Sequence, residues 1–170
     1  MTLRSIVIAI ATFASLVVVS TPCRAEENFL AAVIAQLPQA TVSLDQALKT
    51  SESEGTPLSA EYDVDDGELQ ISVYTKKDDE FEEVVIDAKS GSIKSTKPLS
   101  EPAEVIEAQA QSAALDKSKL SLTAALDAAV SANSGYRTVS IIPTLGDNEA
   151  VANITLLRGD NLKQVAEKLD

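Results

Sequence analysis

The side chains best equipped for chemistry in this chain are carboxylates, and they gather at two points. Asp63, Asp65, Asp66 and Glu68 form one group, and Asp78, Asp79, Glu80, Glu82 and Glu83 form the next. Oxygen clusters of this kind are the raw material of a Ca²⁺ site. The spacing departs from an EF-hand loop, because Gly67 stands where a ligand would be needed. The favoured reading is therefore a pair of solvated hairpin turns, whose charge also discourages edge-to-edge aggregation. Other chemistry is closed by composition. The chain has no His, and its single Cys is Cys23. Without an imidazole or a retained thiol there is no Ser-His or Cys-His pair. Zinc and copper sites built on those ligands go with them. Ser/Lys chemistry is compatible with the composition, but nothing suggests it. Arg158-Gly159-Asp160 spells an integrin-binding tripeptide and Asn153-Ile154-Thr155 a glycosylation sequon. The first reads as a Gly-containing hairpin turn, and the second falls inside a predicted strand. No catalytic, cofactor-binding or metal-binding residue is assigned, no cofactor is expected, and the chain reads as a non-enzyme.

The elements that would hold such groups begin after residue 25. Arg4, the uncharged run Ile6–Val19 and the small residues Cys23 and Ala25 before Glu26 make a secretory signal peptide, residues 1–25. The run is short for a spanning helix, which needs ~20 apolar residues. Thr21 and Pro22 disfavour a lipid anchor on Cys23. Loss of Arg4 and Arg24 takes the formal charge from −12 to −14. So acidic a protein has no general affinity for nucleic acid or an anionic membrane. Its field favours a basic partner instead. No disulfide can form, and the aromatics are reduced to Phe29, Tyr62, Tyr74, Phe81 and Tyr136. Packing must rely on Leu, Ile, Val and Ala.

Apolar residues at three- and four-residue spacing predict a helix over Glu27–Leu37, ended by Pro38. A second helix, Ser43–Glu54, opens on a Ser43/Gln46 capping box and presents Leu44, Ala47, Leu48 and Ser51 on one face. Gly55 and Pro57 are expected to stop it. The period then changes to two. Strands are expected at Ala60–Val64, Leu69–Tyr74 and Phe81–Ile86, with a short edge at Ser92–Lys94. Lys97-Pro98 and Glu101-Pro102 mark a linker. Beyond it, Ala103–Leu115 reads as a helix with Ile106, Ala110 and Ala113 on one side. Ser121 caps a further helix, Leu122–Ala132. Strands follow at Tyr136–Thr144, Ala150–Leu157 and Asn161–Leu169.

The chain also repeats a phrase. At an offset of 78, Ala35/Ala113, Leu37/Leu115, Ser43/Ser121, Leu44/Leu122, Ala47/Ala125 and Leu48/Leu126 coincide. The β segments that follow align at 81. This predicts an α+β fold of two small repeats. Each is a helix packed on a three- to four-stranded antiparallel sheet, with a short preceding helix. The boundaries expected are 26–95 for the first domain (core 41–94), 96–102 for the linker and 103–170 for the second. Whether the two share one sheet is left open.

Ser43-Leu44-Asp45-Gln46-Ala47-Leu48 and the strand ending Ile86-Asp87-Ala88-Lys89-Ser90-Gly91 resemble the opening and closing motifs of a PepSY domain, the peptidase propeptide and YpeB type. The second copy keeps Ser121-Leu122 and Ala125-Leu126 but lacks the Ser-Gly turn. It therefore resembles a degenerate tandem copy. The resemblance implies a periplasmic or secreted bacterial protein that has left the membrane after signal cleavage. It also implies a protein partner in the envelope or secreted fraction, such as a peptidase that the domain restrains or helps to fold. The alternative is an envelope protein binding a small ligand or a cation such as Ca²⁺, with a pocket between the two units.

Overall fold

The computed structural model describes residues 24–147 and 149–170, with residues 24–29 described as backbone only. Positions 1–23 of the predicted signal peptide, and Asn148 in a predicted turn, lie outside the described residues. The elements run α1 (Arg24–Gln36), a 3-10 turn (Leu37–Gln39), α2 (Leu44–Ser51), β1 (Thr56–Asp65), β2 (Glu68–Lys77), β3 (Glu80–Asp87) and β4 (Ile93–Pro98). Then come α3 (Pro102–Leu115), α4 (Leu122–Ala132), β5 (Arg137–Gly146), β6 (Glu149–Arg158) and β7 (Asn161–Lys168).

Local signals explain where helices start. The Ser43 hydroxyl accepts from Gln46 N, and the Gln46 side chain accepts from Ser43 N, so α2 opens on a complete capping box. Ser121 accepts from Ala124 N at 3.1 Å and opens α4 in the same way, without the reciprocal bond. In both helices the apolar stripe is buried, through Leu44, Ala47 and Leu48 in α2 and Leu122, Ala125 and Leu126 in α4. Two-residue turns join most strands. Asp66 and Gly67 both take positive φ, at 49° and 80°, which gives the hairpin twist the flanking strands require. After β3 the chain turns on Asp87, whose carboxylate accepts from Lys89 N, Ser90 N and the Ser90 hydroxyl. Those bonds, the Ser90 amide first, hold its carboxyl below the usual aspartate range.

All seven strands form one antiparallel sheet in the order β4-β3-β2-β1-β5-β6-β7. The two meanders meet at a seam of two residue pairs, Ala60 with Ile141 and Glu61 with Ser140. Side chains alternate across a strand, so the sheet has two distinct faces. One carries Ala60, Tyr62, Ile71, Val73, Val84, Ile86, Ile141, Ile154 and Leu156, covered by α1, α2 and α4 in the main core. The other meets α3, where Leu58, Tyr74 and Ala108 pack together.

A clasp closes the core side of the seam. Arg137, from β5, donates to the carbonyls of Leu37 and Ala40 at 3.0 Å, to that of Val42 at 3.1 Å and to the Tyr62 hydroxyl at 2.5 Å. Its guanidinium also stacks 5.1 Å from the Tyr62 ring centroid. The Tyr62 hydroxyl donates in turn to Val42 O.

One open question is answered and three expectations change. The sheet is continuous, so α2 rests on β5 as well as on β1 and β2, and no separate sheet lies under each helix. Pro57 lies within β1, beside an irregularity in the ladder between Pro57 and Ser59, where a missing N–H is tolerated. Lys97 and Pro98 lie in β4, paired with Glu83 and Glu82, because the free edge of β3 offers partners beyond the short strand expected. Ile106 and Ala113 share a face of α3, but it is the solvent face, with Ile106 65% exposed. The buried face is Glu104, Ala108, Gln111, Ser112 and Ala114, since the sheet below α3 is itself largely polar.

Candidate functional site

Register builds a polar row across the α3 side of the sheet. Glu61 on β1 pairs with Ser72 on β2 and with Ser140 on β5. Ser140 pairs with Thr155 on β6, and Thr155 with Gln164 on β7. Five strands thus place five polar side chains in line, directly over the seam. Helix α3 roofs this row through Glu107, Ala110 and Gln111, and encloses a cavity of about 250 Å³. Its remaining walls are mostly apolar, including Ile142, Pro143 and Val165. Such a mixture of apolar walls and a few convergent polar groups is the usual make-up of a small-ligand site.

Two of the lining groups are buried without a partner. Gln111 is 7% exposed and its Oε1 accepts no hydrogen bond. Ser72 is 6% exposed; its hydroxyl faces the Glu83 carboxyl and favours the charged form, but makes no bond of proper geometry. Buried polar atoms left unpaired cost roughly 1–3 kcal/mol each, so a site that keeps two calls for an explanation.

The electrostatics point the same way. Burial pushes the Glu61 carboxyl from its ordinary value of 4.5 up to about 8, and the negative charges of Asp63, Glu107 and Glu83 push it further in the same direction. Burial also raises Glu83, helped by Asp63 and Glu104 and opposed by the Ser72 hydroxyl and Lys97. Asp63 is raised by burial despite bonds from Val64 N and the Gln70 amide. Glu104 and Glu107 on α3 are raised by burial, then by acidic neighbours. Three carboxylates of the sheet and two of the helix above it are thus shifted toward the protonated form. Perturbed carboxylates beside a cavity mark a candidate site.

The sequence separated these residues differently. Asp63 and Glu83, grouped with the hairpin carboxylates, turn instead toward the α3 side of the sheet. Asp66, Asp78 and Asp79 stay exposed in their turns, Asp65 and Glu80 are exposed at the strand ends beside them, and Glu68 pairs with Lys94 at 3.1 Å. Among the described residues no three carboxylates come together as a cation site. Arg158-Gly159-Asp160 is a turn between β6 and β7, with the Arg158 guanidinium 4.5 Å from the Tyr136 ring centroid. Asn153 and Thr155 of the sequon lie in β6 and line the cavity, the Asn153 amide donating to the Thr144 hydroxyl at 2.8 Å. Glu61, Gln111 and Ser72 carried no sequence signal beyond one: Glu61 and Ser72 occupy alternate polar positions of strands, and strand pairing was needed to bring them together.

Among the described residues no helix is long and apolar enough to cross a membrane. No curated protein and no solved structure matches the chain. One family model does, that of the peptidase propeptide and YPEB domain, over residues 41–97. Domains of this family are generally non-catalytic, protein-interacting and extracytoplasmic. The segment from just before the α2 cap to the outer strand β4 is a PepSY domain.

Proposed function

We propose that this protein is a non-enzymatic, periplasmic or secreted interaction module that restrains or assists a secreted peptidase. The observation that carries this reading is the PepSY domain at residues 41–97. The open sheet supports it, because β7 is a free edge strand without proline, able to pair with an extended segment of a partner. The proposed mature chain starts at Glu26, and its charge favours a basic partner surface.

Residues 103–170 are, in the same proposal, a degenerate second PepSY-like unit. Its support is a set of coincidences, at an offset of 81 in the strands and 78 in the segments that lead into α2 and α4. The ladders shift at Pro57/Ser59 and at Thr138/Ser140. Asp66 and Asp147 turn at φ 49° and 50°. Before α2, Thr41 N and Val42 N both donate to Ala88 O; before α4, Lys119 N and Leu120 N both donate to Leu169 O. Ala88 and Leu169 are 81 apart, while the cap residues Ser43 and Ser121 keep their offset of 78.

The test is capture of a peptidase by immobilised residues 26–170 from the periplasmic and secreted fractions of the source bacterium, followed by assay of that peptidase. The expected result is a recovered peptidase whose activity or refolding yield changes with added protein. Recovery of no peptidase, or of one indifferent to the protein, overturns the reading. A second reading, binding of a small ligand, is favoured by the cavity over the seam.

A further inference from the structure

We propose that the cavity between α3 and the β1–β5 seam takes a primary ammonium group on an apolar stem, with Glu61 as counter-ion and Gln111 Oε1 as second acceptor. The chemistry is shared by a free alkylamine and by a lysine side chain. The inference rests on the small-ligand reading and is independent of any peptidase.

The cavity holds a carboxylate and an unpaired amide oxygen, and no cationic side chain lines it. Glu61 has no described hydrogen bond or ion pair, and every charge acting on it is negative. These are Asp63 on its own strand, Glu83 on β3 and Glu107 on α3. The neighbouring strands add uncharged Ser72, Ser140, Thr155 and Gln164, and the phenol of Tyr74. Gln111 Oε1 waits for a donor from the helix side. The one amide donor on β6, Asn153, is already engaged by Thr144. An ammonium brings a positive charge and three donors, which suits a carboxylate that only negative charges surround and an amide oxygen without a partner. Ala110, Ile142, Pro143 and Val165 give the stem apolar walls. A divalent cation fits less well, since no three oxygen ligands of Asp or Glu come together among the described residues.

The ligand also answers the electrostatic problem of the site. Glu61 is half-buried in a partly open cavity, and an unpaired carboxylate there is costly and tends to hold a proton. An entering ammonium replaces that proton as the compensating charge. Binding should therefore release a proton below the Glu61 titration and tighten as the pH rises toward it.

The experiment is an NMR titration of the purified protein with n-butylamine, n-butanol, butyrate and Nα-acetyl-lysine methylamide, each alone. The expected result is saturable shifts confined to amides around Glu61, Ser72, Gln111 and Ser140 with the amines, absent with butyrate. Affinity should fall about tenfold or more in Glu61→Gln, a change of about 1.4 kcal/mol in binding. Gln111→Leu should weaken binding with the fold kept by circular dichroism. Calorimetry in buffers of different ionisation enthalpy should report proton release near neutral pH in the wild type and none in Glu61→Gln. Tighter binding of the lysine derivative than of butylamine assigns the site to a partner's lysine; the reverse assigns it to a free amine. Butanol binding as tightly as butylamine overturns the ammonium inference and leaves the small-ligand reading standing. Saturation by none of the four overturns both, and amine binding unchanged in folded Glu61→Gln overturns the role of Glu61.

Discussion

Glu61 makes the protein's stability depend on pH in an unusual direction. Its carboxyl holds a proton up to about 8 when folded but only up to about 4.5 when unfolded. Between those values the native state binds the extra proton, so stability is full below the unfolded value and falls as the pH rises through the folded one. Each unit of that window is worth about 1.4 kcal/mol. Allowing for partial native ionisation near the upper end, Glu61 alone should cost the wild type about 2.5 kcal/mol between about pH 5.5 and 7.5. Asp63, Glu83, Glu104 and Glu107 are shifted in the same direction and add to the slope. Glu61→Gln keeps the shape of the neutral acid and cannot ionise. Urea denaturation followed by circular dichroism, at four pH values across the window, gives the free energy of each protein at unchanged m-value. The difference between the two proteins should open by about 2.5 kcal/mol in favour of Glu61→Gln as the pH rises. Parallel curves, with a gap that stays constant within about 0.5 kcal/mol, would refute the burial of this carboxyl under α3.

Removing the clasp should be costly: Arg137→Ala leaves the Ala40 carbonyl without its described donor, takes one of two donors from the Leu37 and Val42 carbonyls, and should lower stability by about 2 kcal/mol in urea. Arg137→Lys should recover only part, because one ammonium cannot reproduce a fork of four bonds, and full recovery would show that charge alone matters. Ser43→Ala and Ser121→Ala should each cost about 1 kcal/mol by thermal melting, since each removes the hydroxyl that accepts from the amide three residues on; an unchanged melting temperature in both would count against the caps. Gly55→Ala should destabilise by about 2 kcal/mol, since a Cβ there would stand 2.8 Å from Lys76 O, a backbone atom that cannot easily move. At Gly146 a Cβ meets nothing within 4 Å, so Gly146→Ala should leave the melting temperature nearly unchanged.

Much of the fold was legible because it is encoded over short distances. Ser43 and Ser121 announce their helices through a hydroxyl and an amide three residues away. Asp65-Asp66-Gly67 announces a hairpin because only a few residues accept positive φ. The alternation in Leu69, Ile71 and Val73 needs no knowledge of the rest of the chain. The error over α3 has an equally physical cause. Ile106, Ala110 and Ala113 do make an apolar stripe, and such stripes ordinarily face inward. Here the sheet surface opposite is lined by Glu61, Ser72 and Ser140, so the helix buries Gln111 and Glu104 and leaves Ile106 in solvent.

From sequence alone came the helices, the hairpins and the residues of the main core, since each depends on neighbours within a turn or a strand. Only the tertiary structure decided that β1 pairs with β5. That seam joins residues about 80 positions apart through two pairs, Ala60 with Ile141 and Glu61 with Ser140, and no local pattern distinguishes it from other strand pairings. It merges two meanders into one sheet, brings Arg137 to the carbonyls of residues 37–42, and sets Glu61 beneath α3. The candidate site exists because of that pairing: its polar residues are ordinary alternate positions of separate strands, and their chemistry arises only when register lines them up.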